Sequence, residues 1–553
     1  MKYSGAEVII KLLERQGIRI ITGIPGGANL PLYNALHKSN IQHVLARHEQ
    51  GAGFIAQGMA RTTGRAAVCF ATSGPGATNL ITSIADAKMD SVPVIAVTGQ
   101  VSSNLIGSDA FQEVDMYGLT VPITKHNYLV KSAEELIRII PEAFQIAESG
   151  RPGPVVIDVP KDIQVQEIEV DEWPSLKQEH ELLELDTDRI KRVANMINNA
   201  MKPLLYIGGG IVQSEAHHLL YELAQRNSIP VASTLMGLGS FPCHDPLYLG
   251  MLGMHGSRYT NYIVNQADLL LAFGVRFDDR ATGNANRFCP RAKIVHIDID
   301  PAEIDKIKSS HASITGDIGA ILKYLIPLTN SDHRLDWLCE VNKMRQDHPF
   351  SMPNSNDLSH PINIIKSLGQ QAAPDTIITT DVGQHQMWVA QAYPFQHPRT
   401  LLTSGSLGTM GFGLPAAIGA ALANPDKRII CFSGDGSLLM NIQELATLAD
   451  WQLNITIILF NNGHLGLVRQ QQELFYEKNY IASKFMTNPD FAAIARGFGI
   501  RGYDLDKDNQ LCALFKKSLE ETGPCLINVP TDFSENVFPM IPPGKAIYEM
   551  IGG

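Results

Sequence analysis

The 553-residue sequence lacks the features of secreted, membrane-spanning and nucleic-acid-binding proteins. Its seven cysteines are scattered, without a Cys-x-x-Cys pair, which indicates reduced thiols rather than a disulfide framework. No apolar run approaches the ~18 residues that a membrane-spanning helix needs. Lys and Arg number 45 against 56 Asp and Glu, and this acidic balance argues against a nucleic-acid surface. The N-terminus shows no signal or transit peptide, so a cytoplasmic protein is expected.

Common phosphate-binding motifs are missing as well. There is no GxxxxGK[ST] segment, which excludes a P-loop NTPase. The triplet Gly208-Gly209-Gly210 does not fit GxGxxG either. Any phosphate-bearing ligand must therefore be held in another way.

What is present throughout is an alternation of short apolar runs and amphipathic stretches, typical of α/β domains with parallel sheets. Polar stretches at about 164–188 and 330–361 break this rhythm and are interpreted as linkers. We therefore predict three doubly wound domains, at 1–165, 188–330 and 360–553, in line with the length of the chain. Candidate strands of the first domain are 20–24, 43–46, 66–71, 94–98 and 155–159.

The first and last domains share a plan. Each has a glycine-rich turn after a strand, at 72–77 and 433–437, and each ends in Gly-Pro followed by a strand, at 153–160 and 523–530. Convergence on α/β patterns is the alternative. We favour two related domains that face each other across a cofactor.

Two of the apolar runs near the chain end lead into polar motifs. Residues 433–437 (SGDGS) follow one run and residues 460–463 (FNNG) close the next, with 27 positions between Asp435 and Asn462. That spacing fits one crossover between parallel strands. A carboxylate and an amide oxygen beside glycine backbone suit Mg²⁺ on a diphosphate. The pair resembles the signature of thiamine diphosphate enzymes.

Glu49 stands where a helix begins after a strand. One interpretation is an acid placed in a helix first turn for electrostatic reasons. The functional interpretation is a carboxylate in an apolar pocket that exchanges a proton with an aminopyrimidine ring.

Taken together, the motifs resemble those of the acetohydroxyacid synthase (acetolactate synthase) large catalytic subunits, nearly from end to end. The matching segments are 23–27 (GIPGG), 47–52 (RHEQGA), 73–79 (SGPGATN), 109–113 (DAFQE), 150–154 (GRPGP), 276–280 (RFDDR) and 433–437. The resemblance implies the thiamine diphosphate-binding fold, in which pyrimidine and diphosphate domains flank a Rossmann-like FAD domain.

The resemblance also implies a role for individual residues. Glu49 would contact N1′ of the pyrimidine, and Mg²⁺ would be held by Asp435, Asn462 and the carbonyl of His464. The other thiamine diphosphate residues would be Val382, Gly383, Gln384, His385, Met410, Gly434, Gly436 and Ser437. The FAD residues would be Arg151, Gly208, Gly209, Gly210, Leu252, Gly253, Met254, His255, Gly274, Val275, Arg276, Asp298 and Asp317.

In this family two pyruvates give 2-acetolactate and CO₂, or pyruvate and 2-ketobutyrate give 2-aceto-2-hydroxybutyrate. Arg280 would bind the carboxylate of the second ketoacid, because a guanidinium recognises carboxylates bidentately. A structural Arg–Asp pair within 276–280 is the alternative. Gln112, Phe111 and Lys161 would be pocket neighbours, and Gln112 and Lys161 are counted as catalytic candidates.

Assembly and specificity follow from the same resemblance. Active sites would lie between chains, with Glu49 from one and Asp435 from the other, so a homodimer or larger assembly with a small regulatory subunit is expected. Gln471 stands where many members carry Trp, and Ser102 where many carry Pro. Loss of the Trp ring predicts weak preference between the two acceptor ketoacids and reduced herbicide sensitivity.

Rival interpretations stay open. Pyruvate oxidase, pyruvate decarboxylase and the flavin-independent catabolic acetolactate synthase are also thiamine diphosphate enzymes. Residues 276–280 favour the biosynthetic enzyme, and Glu49 argues against glyoxylate carboligase, which lacks that acid. A flavoprotein-like regulatory subunit without catalysis is the rival of another class, and Glu49, Asp435 and Asn462 argue against it.

Overall fold

A computed structural model describes residues 1–175, 185–350, 357, 360–505 and 511–552. Parts of both predicted linkers, residues 176–184, 351–356 and 358–359, lie outside the described residues. Three six-stranded sheets, each fully parallel, follow one another along the chain. They confirm the predicted α/β class with three parallel-sheet domains.

The N-terminal sheet has the strand order β3-β2-β4-β5-β7-β6, and a small antiparallel pair, β1 with β8, lies apart from it. The strands are β1 Lys2–Ser4, β2 Ile20–Gly23, β3 Gln42–Leu45, β4 Ala67–Ala71, β5 Val94–Gln100, β6 His126–Leu129, β7 Val155–Pro160 and β8 Glu167–Glu169. The helices are α1 Gly5–Arg15, α2 Leu30–Leu36, α3 Glu49–Thr63, α4 Pro75–Asn79, α5 Ile81–Met89, α6 Met116–Thr120, α7 Leu136–Glu148 and α8 Lys161–Val165.

Local sequence explains these elements. Strands β4, β5 and β7 are buried along their whole length, as strands covered by helices on both faces must be. Helix α1 begins at a capping box in which Ser4 and Glu7 exchange hydrogen bonds. Helix α3 follows His48, whose side chain accepts from the amide of Gln50, and ends at Gly64 in the left-handed region (φ 71°).

The middle sheet has the order β11-β10-β9-β12-β13-β14, which is the 3-2-1-4-5-6 order of dinucleotide-binding folds. Its strands are β9 Pro203–Ile207, β10 Val231–Ser233, β11 Tyr248–Met251, β12 Leu269–Phe273, β13 Lys293–Asp298 and β14 Ala312–Thr315. The helices are α9 Thr187–Asn199, α10 Gly209–Gln213, α11 His217–Asn227, α12 Arg258–Gln266, α13 Asp279–Thr282, α14 Ile318–Leu325 and α15 Leu335–Asp347.

Helix α15 corrects the prediction of an irregular linker at 330–361. Trp337 and Val341 are buried in one core cluster with strands β9 and β12, and the indole of Trp337 donates to the carbonyl of Pro203 at 3.0 Å. The turn formers that suggested a linker come only after this helix. The predicted linker at 164–188 likewise contains the end of α8 and strand β8, which pairs with the first residues of the chain.

The C-terminal sheet has the order β16-β15-β17-β18-β20-β19. Its strands are β15 Ile377–Thr380, β16 Leu401–Leu402, β17 Ile429–Gly434, β18 Ile455–Asn461, β19 Arg501–Asp504 and β20 Cys525–Pro530. The helices are α16 Pro361–Gln371, α17 Gln384–Ala392, α18 Gly413–Ala423, α19 Asp435–Leu438, α20 Glu444–Trp451, α21 Gly466–Phe475, α22 Phe491–Gly497 and α23 Leu511–Glu520. In sequence order both outer sheets read 2-1-3-4-6-5, so their shared plan is a shared topology.

Helices α3 and α18 join the two outer domains in one core cluster. The helices approach closely because they meet at glycines: a Cβ on Gly58 would lie 2.1 Å from the carbonyl oxygen of Ala416, and one on Gly419 1.9 Å from that of Ile55. The rings of Phe54 and Phe412 then meet edge to face at 5.3 Å.

The last residues of the chain return to the middle domain. Ile541, Ile547 and Met550 are buried in its core, and the amide of Ile541 donates to the carbonyl of Met254 at 3.0 Å. In the part of the chain that the structure describes, no helix is long and apolar enough to cross a membrane.

Candidate active site

Asp435 and Asn462 lie together at the carboxyl ends of the neighbouring parallel strands β17 and β18. Asp435 Oδ1 accepts from the amide of Gly436 at 2.8 Å, and Oδ2 accepts from the amide of Gly463 at 2.6 Å. Asn462 Oδ1 accepts from the amide of His464 at 3.0 Å. Burial raises the pKa of Asp435, and these amide hydrogen bonds oppose that rise. The predicted pair therefore occupies one strand-end site.

The candidate metal site is poor in ionisable ligands. Among the residues that the structure describes, no group of three or more His, Cys, Asp and Glu could hold a metal. Asp435 is accompanied instead by an amide and by backbone. Such a set suits a hard cation that takes its remaining oxygens from a phosphate-bearing ligand and water, as Mg²⁺ does.

His464 uses its side chain locally. Its Nδ1 lies 2.8 Å from the carbonyl oxygen of Asn462, and its ring stacks on Phe533 with centroids 4.9 Å apart. The imidazole thus fixes the turn that carries Asn462, so it positions this residue.

A glycine-lined cradle lies beside the candidate metal site. Ser437 Oγ donates to the carbonyl of Val382 at 2.6 Å, which joins the two segments predicted to hold a diphosphate. A Cβ on Gly383 or Gly434 would approach the imidazole of His385 to 2.8 or 3.0 Å. Nε2 of His385 is buried without a hydrogen-bond partner, and burial lowers the pKa of this imidazole to about 3. The glycines thus leave room for the Cε1 and Nδ1 side of this ring, and the neutral, unsatisfied Nε2 nitrogen fits a cofactor site.

Gln384 extends the cradle toward the end of the chain. Its Oε1 accepts from the amide nitrogen of Asn462 at 3.3 Å, and its Nε2 donates to the carbonyl of Glu535 at 2.7 Å. A Cβ on Gly436 would lie 3.0 Å from both Leu465 and Phe485, so this glycine also lies against neighbouring side chains.

Asp381 belongs to this site although it was not predicted. It is fully buried after β15, and its Oδ1 accepts from the amides of Val382 at 3.0 Å and Gly411 at 2.8 Å. Burial raises its pKa to about 6. Through Gly411 it holds the half-buried Met410 next to the cradle. The signal in the sequence was an acid directly after an apolar strand, in the same place that Asp435 has after β17.

Glu49 is the first residue of α3 and is 8% exposed. Its Oε2 accepts from the amide nitrogen of Asn79 at 2.9 Å, and a Cβ on Gly76 would lie 3.1 Å from Oε1. Within the described part of the chain no hydrogen bond joins Glu49 to the Asp435 group. The two predicted centres are therefore not joined by a direct hydrogen bond within one chain.

Glu444 fixes the turn that presents Glu49, and it too was missed. This fully buried carboxylate of α20 accepts from the amides of Arg47 at 3.0 Å and His48 at 3.1 Å. Asn441 adds a hydrogen bond to Gln50 at 3.2 Å. Residues 47–50 are thus tied to the C-terminal domain.

The predicted FAD residues cluster at the ends of the middle strands. Gly208, Gly209 and Gly210 follow β9, and Gly274, Val275 and Arg276 follow β12, the two strands between which the strand order reverses. A Cβ on Gly210 would lie 2.5 Å from the Cα of Gly274. The glycines allow this close approach of backbone at the place where dinucleotides bind in such sheets.

The remaining FAD candidates surround that edge. Asp298 ends β13, and burial raises its pKa to about 6. Arg151 of the N-terminal domain is paired with Asp300 at 3.2 Å and Glu303 at 2.6 Å. Asp317 caps α14 by accepting from the amide of Ala320 at 2.7 Å, which gives it a structural task.

Residues 252–255 form a loop next to α13. The amide of Leu252 donates to the carbonyl of Ser233 at 3.0 Å, and the amide of Met254 donates to the carbonyl of Arg280 at 2.7 Å. His255 Nδ1 lies 3.2 Å from the carbonyl oxygen of Pro539, and burial lowers the pKa of this imidazole to about 4. This loop therefore connects the FAD candidates to Arg280.

The guanidinium of Arg280 is largely exposed. The carboxylate of Asp279 is 3.7 Å away and is exposed as well. An exposed ion pair of this kind contributes little to the stability of the fold. The alternative of a firm structural Arg–Asp pair is therefore not supported by the side-chain geometry, although Asp278 does cap α13.

Other predicted pocket residues lie on the N-terminal domain. Gln112 has a left-handed backbone (φ 61°) and packs against Gly74, whose added Cβ would lie 2.9 Å from the Cα of Gln112. Phe111 is 88% exposed, and Lys161 begins α8 with an exposed side chain. In the described chain no hydrogen bond joins these residues to the Asp435 group.

Three protein families match successive parts of the chain. They are described as "Thiamine pyrophosphate enzyme, N-terminal TPP binding domain" at residues 3–119, "central domain" at 190–325 and "C-terminal TPP binding domain" at 381–529. Each match falls on one of the three sheets.

Curated relatives match over the full length. The chain is 54% identical to the acetolactate synthase isozyme 1 large subunit of Escherichia coli (strain K12) over 553 residues, 100% of this chain and 98% of that relative. It is 45% identical to the isozyme 2 large subunit of the same organism over 548 residues, 99% of each chain. It is also 45% identical to the chloroplastic acetolactate synthase of Arabidopsis thaliana over 567 residues, 99% of this chain and 84% of the relative.

Proposed function

Because the chain belongs to the acetolactate synthase large subunits, we propose that it condenses two pyruvates to 2-acetolactate with release of CO₂. With 2-ketobutyrate as acceptor the product is 2-aceto-2-hydroxybutyrate. Both reactions serve branched-chain amino-acid biosynthesis. The observation that carries the proposal is the full-length identity of 54% to an acetolactate synthase large subunit, joined to the strand-end site of Asp435 and Asn462.

The cradle would hold thiamine diphosphate, which when bound supplies the carbanion chemistry of the reaction. Val382, Gly383, His385, Gly434 and Ser437 would line the diphosphate. Asp435, Asn462 and the carbonyl of His464 would hold Mg²⁺. The buried, unpartnered Nε2 of His385 and the absence of side chains at the glycines support this assignment.

Glu49 would share a proton with the N1′ nitrogen of the pyrimidine. Asn79 already donates to Oε2, which leaves Oε1, on the side of Gly76, as the oxygen available for that proton. The turn before Glu49 is held by Glu444, so the carboxylate is presented by a rigid support. Rigid presentation is what acid–base catalysis at a fixed ring atom needs.

FAD would bind to the middle domain at the switch point between β9 and β12, without net redox work in the main reaction. The 3-2-1-4-5-6 strand order and the close approach of Gly210 and Gly274 support a dinucleotide there. The exposed guanidinium of Arg280 would receive the carboxylate of the acceptor ketoacid.

The assembly would be a homodimer or larger, with Glu49 of one chain completing the site of Asp435 in another. Exposed apolar side chains on both outer domains support such an interface: Phe111, Val121, Ile481 and Met486 are 55–95% exposed. The relatives are named large subunits, which supports a small regulatory partner. We also propose a cytoplasmic location.

Omission of single cofactors tests the proposed function. Acetolactate formation from pyruvate is expected to fall to background without thiamine diphosphate, and to fall strongly without Mg²⁺ or FAD. The readout is the colour reaction of acetoin after acidification. If pyruvate is consumed without acetoin, a pyruvate oxidase or decarboxylase is indicated. If turnover is indifferent to FAD, the catabolic acetolactate synthase is indicated.

The isozyme group is a further part of the proposal. Gln471 lies exposed on α21, next in sequence to the buried Gln470, whose side-chain amide pairs with the backbone of Val537 at 2.8 and 3.0 Å. We expect Gln471→Trp to raise the preference for 2-ketobutyrate over pyruvate by about tenfold or more, because a ring adds apolar contact to the extra methyl group. Competition of the two ketoacids, with Gln472→Trp as the matched control, measures the change. Strong 2-ketobutyrate preference in the unaltered enzyme would contradict the assignment.

A further inference from the structure

Two aspartates lie buried where the N-terminal and C-terminal domains meet. Asp86 on α5 and Asp90 just after it have no exposed side-chain surface, and Nη2 of Arg61 lies 3.2 and 2.9 Å from their carboxylates. Two buried carboxylates thus share a single guanidinium. Their remaining oxygens must find other donors, since an unsatisfied buried charge is costly.

Those donors come from the loop at 404–409 of the C-terminal domain. Asp86 Oδ1 accepts from the hydroxyl of Ser404 and, at 3.1 Å, from that of Thr409. Asp90 accepts from the amides of Gly405 and Ser406, each at 3.0 Å. Each aspartate therefore holds a different part of the loop.

The loop touches both predicted cofactor sites. Its next residue is Met410, the thiamine diphosphate candidate held by Asp381 through Gly411. The hydroxyl of Ser406 accepts from Nη2 of Arg276, an FAD candidate, at 2.5 Å.

The loop also meets the middle domain and helix α17. A Cβ on Gly405 would lie 2.3 Å from the sulfur of Met236 in the middle domain. The carbonyl of Ser404 accepts from Gln386, the neighbour of His385, at 3.2 Å. All three domains therefore meet at this loop.

We propose that Asp86 and Asp90 are positioning residues, each of which orients the part of this loop that serves one of the two cofactors. Asp86, through Thr409, sets Met410 for thiamine diphosphate. Asp90, through the backbone of Ser406, sets the contact with Arg276 for FAD. The inference rests on the proposed function, because it takes both cofactor assignments from it.

Cofactor affinities measured by isothermal titration calorimetry test the division. Asp86→Ala, which removes both acceptor oxygens, is expected to weaken thiamine diphosphate binding in the presence of Mg²⁺ about tenfold or more, with FAD affinity within twofold of the unaltered protein. Asp90→Ala is expected to show the reverse pattern. The factor is that of at least one lost hydrogen bond to a charged group. Glu148→Gln, a change at a carboxylate that binds Arg65 and Ala66 in the same domain, is expected to leave both affinities unchanged.

Thr409→Val removes the same contact from the loop side without disturbing the carboxylates. It is expected to weaken thiamine diphosphate binding about tenfold. The double variant Asp86→Ala, Thr409→Val is expected to bind no more weakly than Asp86→Ala alone, because Asp86→Ala already removes this interaction. A double variant that binds tenfold more weakly than Asp86→Ala, or equal loss of both cofactors in either aspartate variant, overturns the proposal. If Asp86→Ala does not fold, Thr409→Val with full thiamine diphosphate affinity overturns it too. Failure of the unaltered protein to bind either cofactor would instead contradict the proposed function.

Discussion

Glu49→Gln is expected to lower the rate of acetolactate formation by about 10²–10⁴-fold, the range that a positioned acid–base group contributes. The amide keeps the size of the side chain and can still pair with Asn79, which binds Oε2 at 2.9 Å. It cannot share a proton with a ring nitrogen in the way that a carboxyl group does. The acetoin colour reaction under saturating cofactors gives the rate, and circular dichroism shows whether the fold is kept.

The matched control is Gln50→Glu, which moves a carboxylate by one position on the same helix. It tests whether any acid at the start of α3 suffices, and no gain of activity is expected when it is combined with Glu49→Gln. Undiminished activity of Glu49→Gln or of Glu49→Ala would remove the catalytic role. It would revive the interpretation of Glu49 as a first-turn acid.

Arg61→Met is expected to destabilise the protein by about 3–5 kcal/mol, the cost of leaving buried charge without its partner. The guanidinium is 8% exposed and is the cation that Asp86 and Asp90 share. The guanidinium also lies over the ring of Phe412, with its Cζ 5.0 Å from the ring centroid. Urea denaturation followed by far-ultraviolet circular dichroism measures the loss.

The triple variant Arg61→Met, Asp86→Asn, Asp90→Asn shows whether Arg61→Met loses stability through unpaired charge or through lost packing. It removes the uncompensated carboxylates, so most of the lost stability is expected to return. If the triple variant stays as unstable as Arg61→Met, packing against Phe412 rather than charge explains the loss.

The strand-end motifs were predictable because each consists of consecutive residues. The turn at 433–437 and the Asn462 turn follow apolar runs, and their spacing fixed them on neighbouring parallel strands. The glycine turns and Gly-Pro strands likewise revealed the common plan of the outer domains. The domain limits and the residue roles in catalysis stay predictions.

Contacts between distant residues could not be predicted in the same way. Asp86 meets Ser404 across 318 positions, and Glu444 meets His48 across 396, so no local pattern connects them. Asp381 was missed although it follows a strand, because no second motif pointed to it. Helix α15 was missed because turn-forming residues follow it in the sequence. The burial of Trp337, which stabilises the helix, depends on the tertiary structure and is not visible in the sequence.

The return of the chain end to the middle domain bears on synthesis at the ribosome. Ile541, Ile547 and Met550 complete a core whose strands lie between residues 203 and 298. The middle domain therefore cannot close that core until about 250 later residues have been translated, whereas folding from the N-terminus onward is the general rule. For that interval the apolar surface that these residues cover is exposed, so we expect the middle domain to reach its native core only after the last residues have been added.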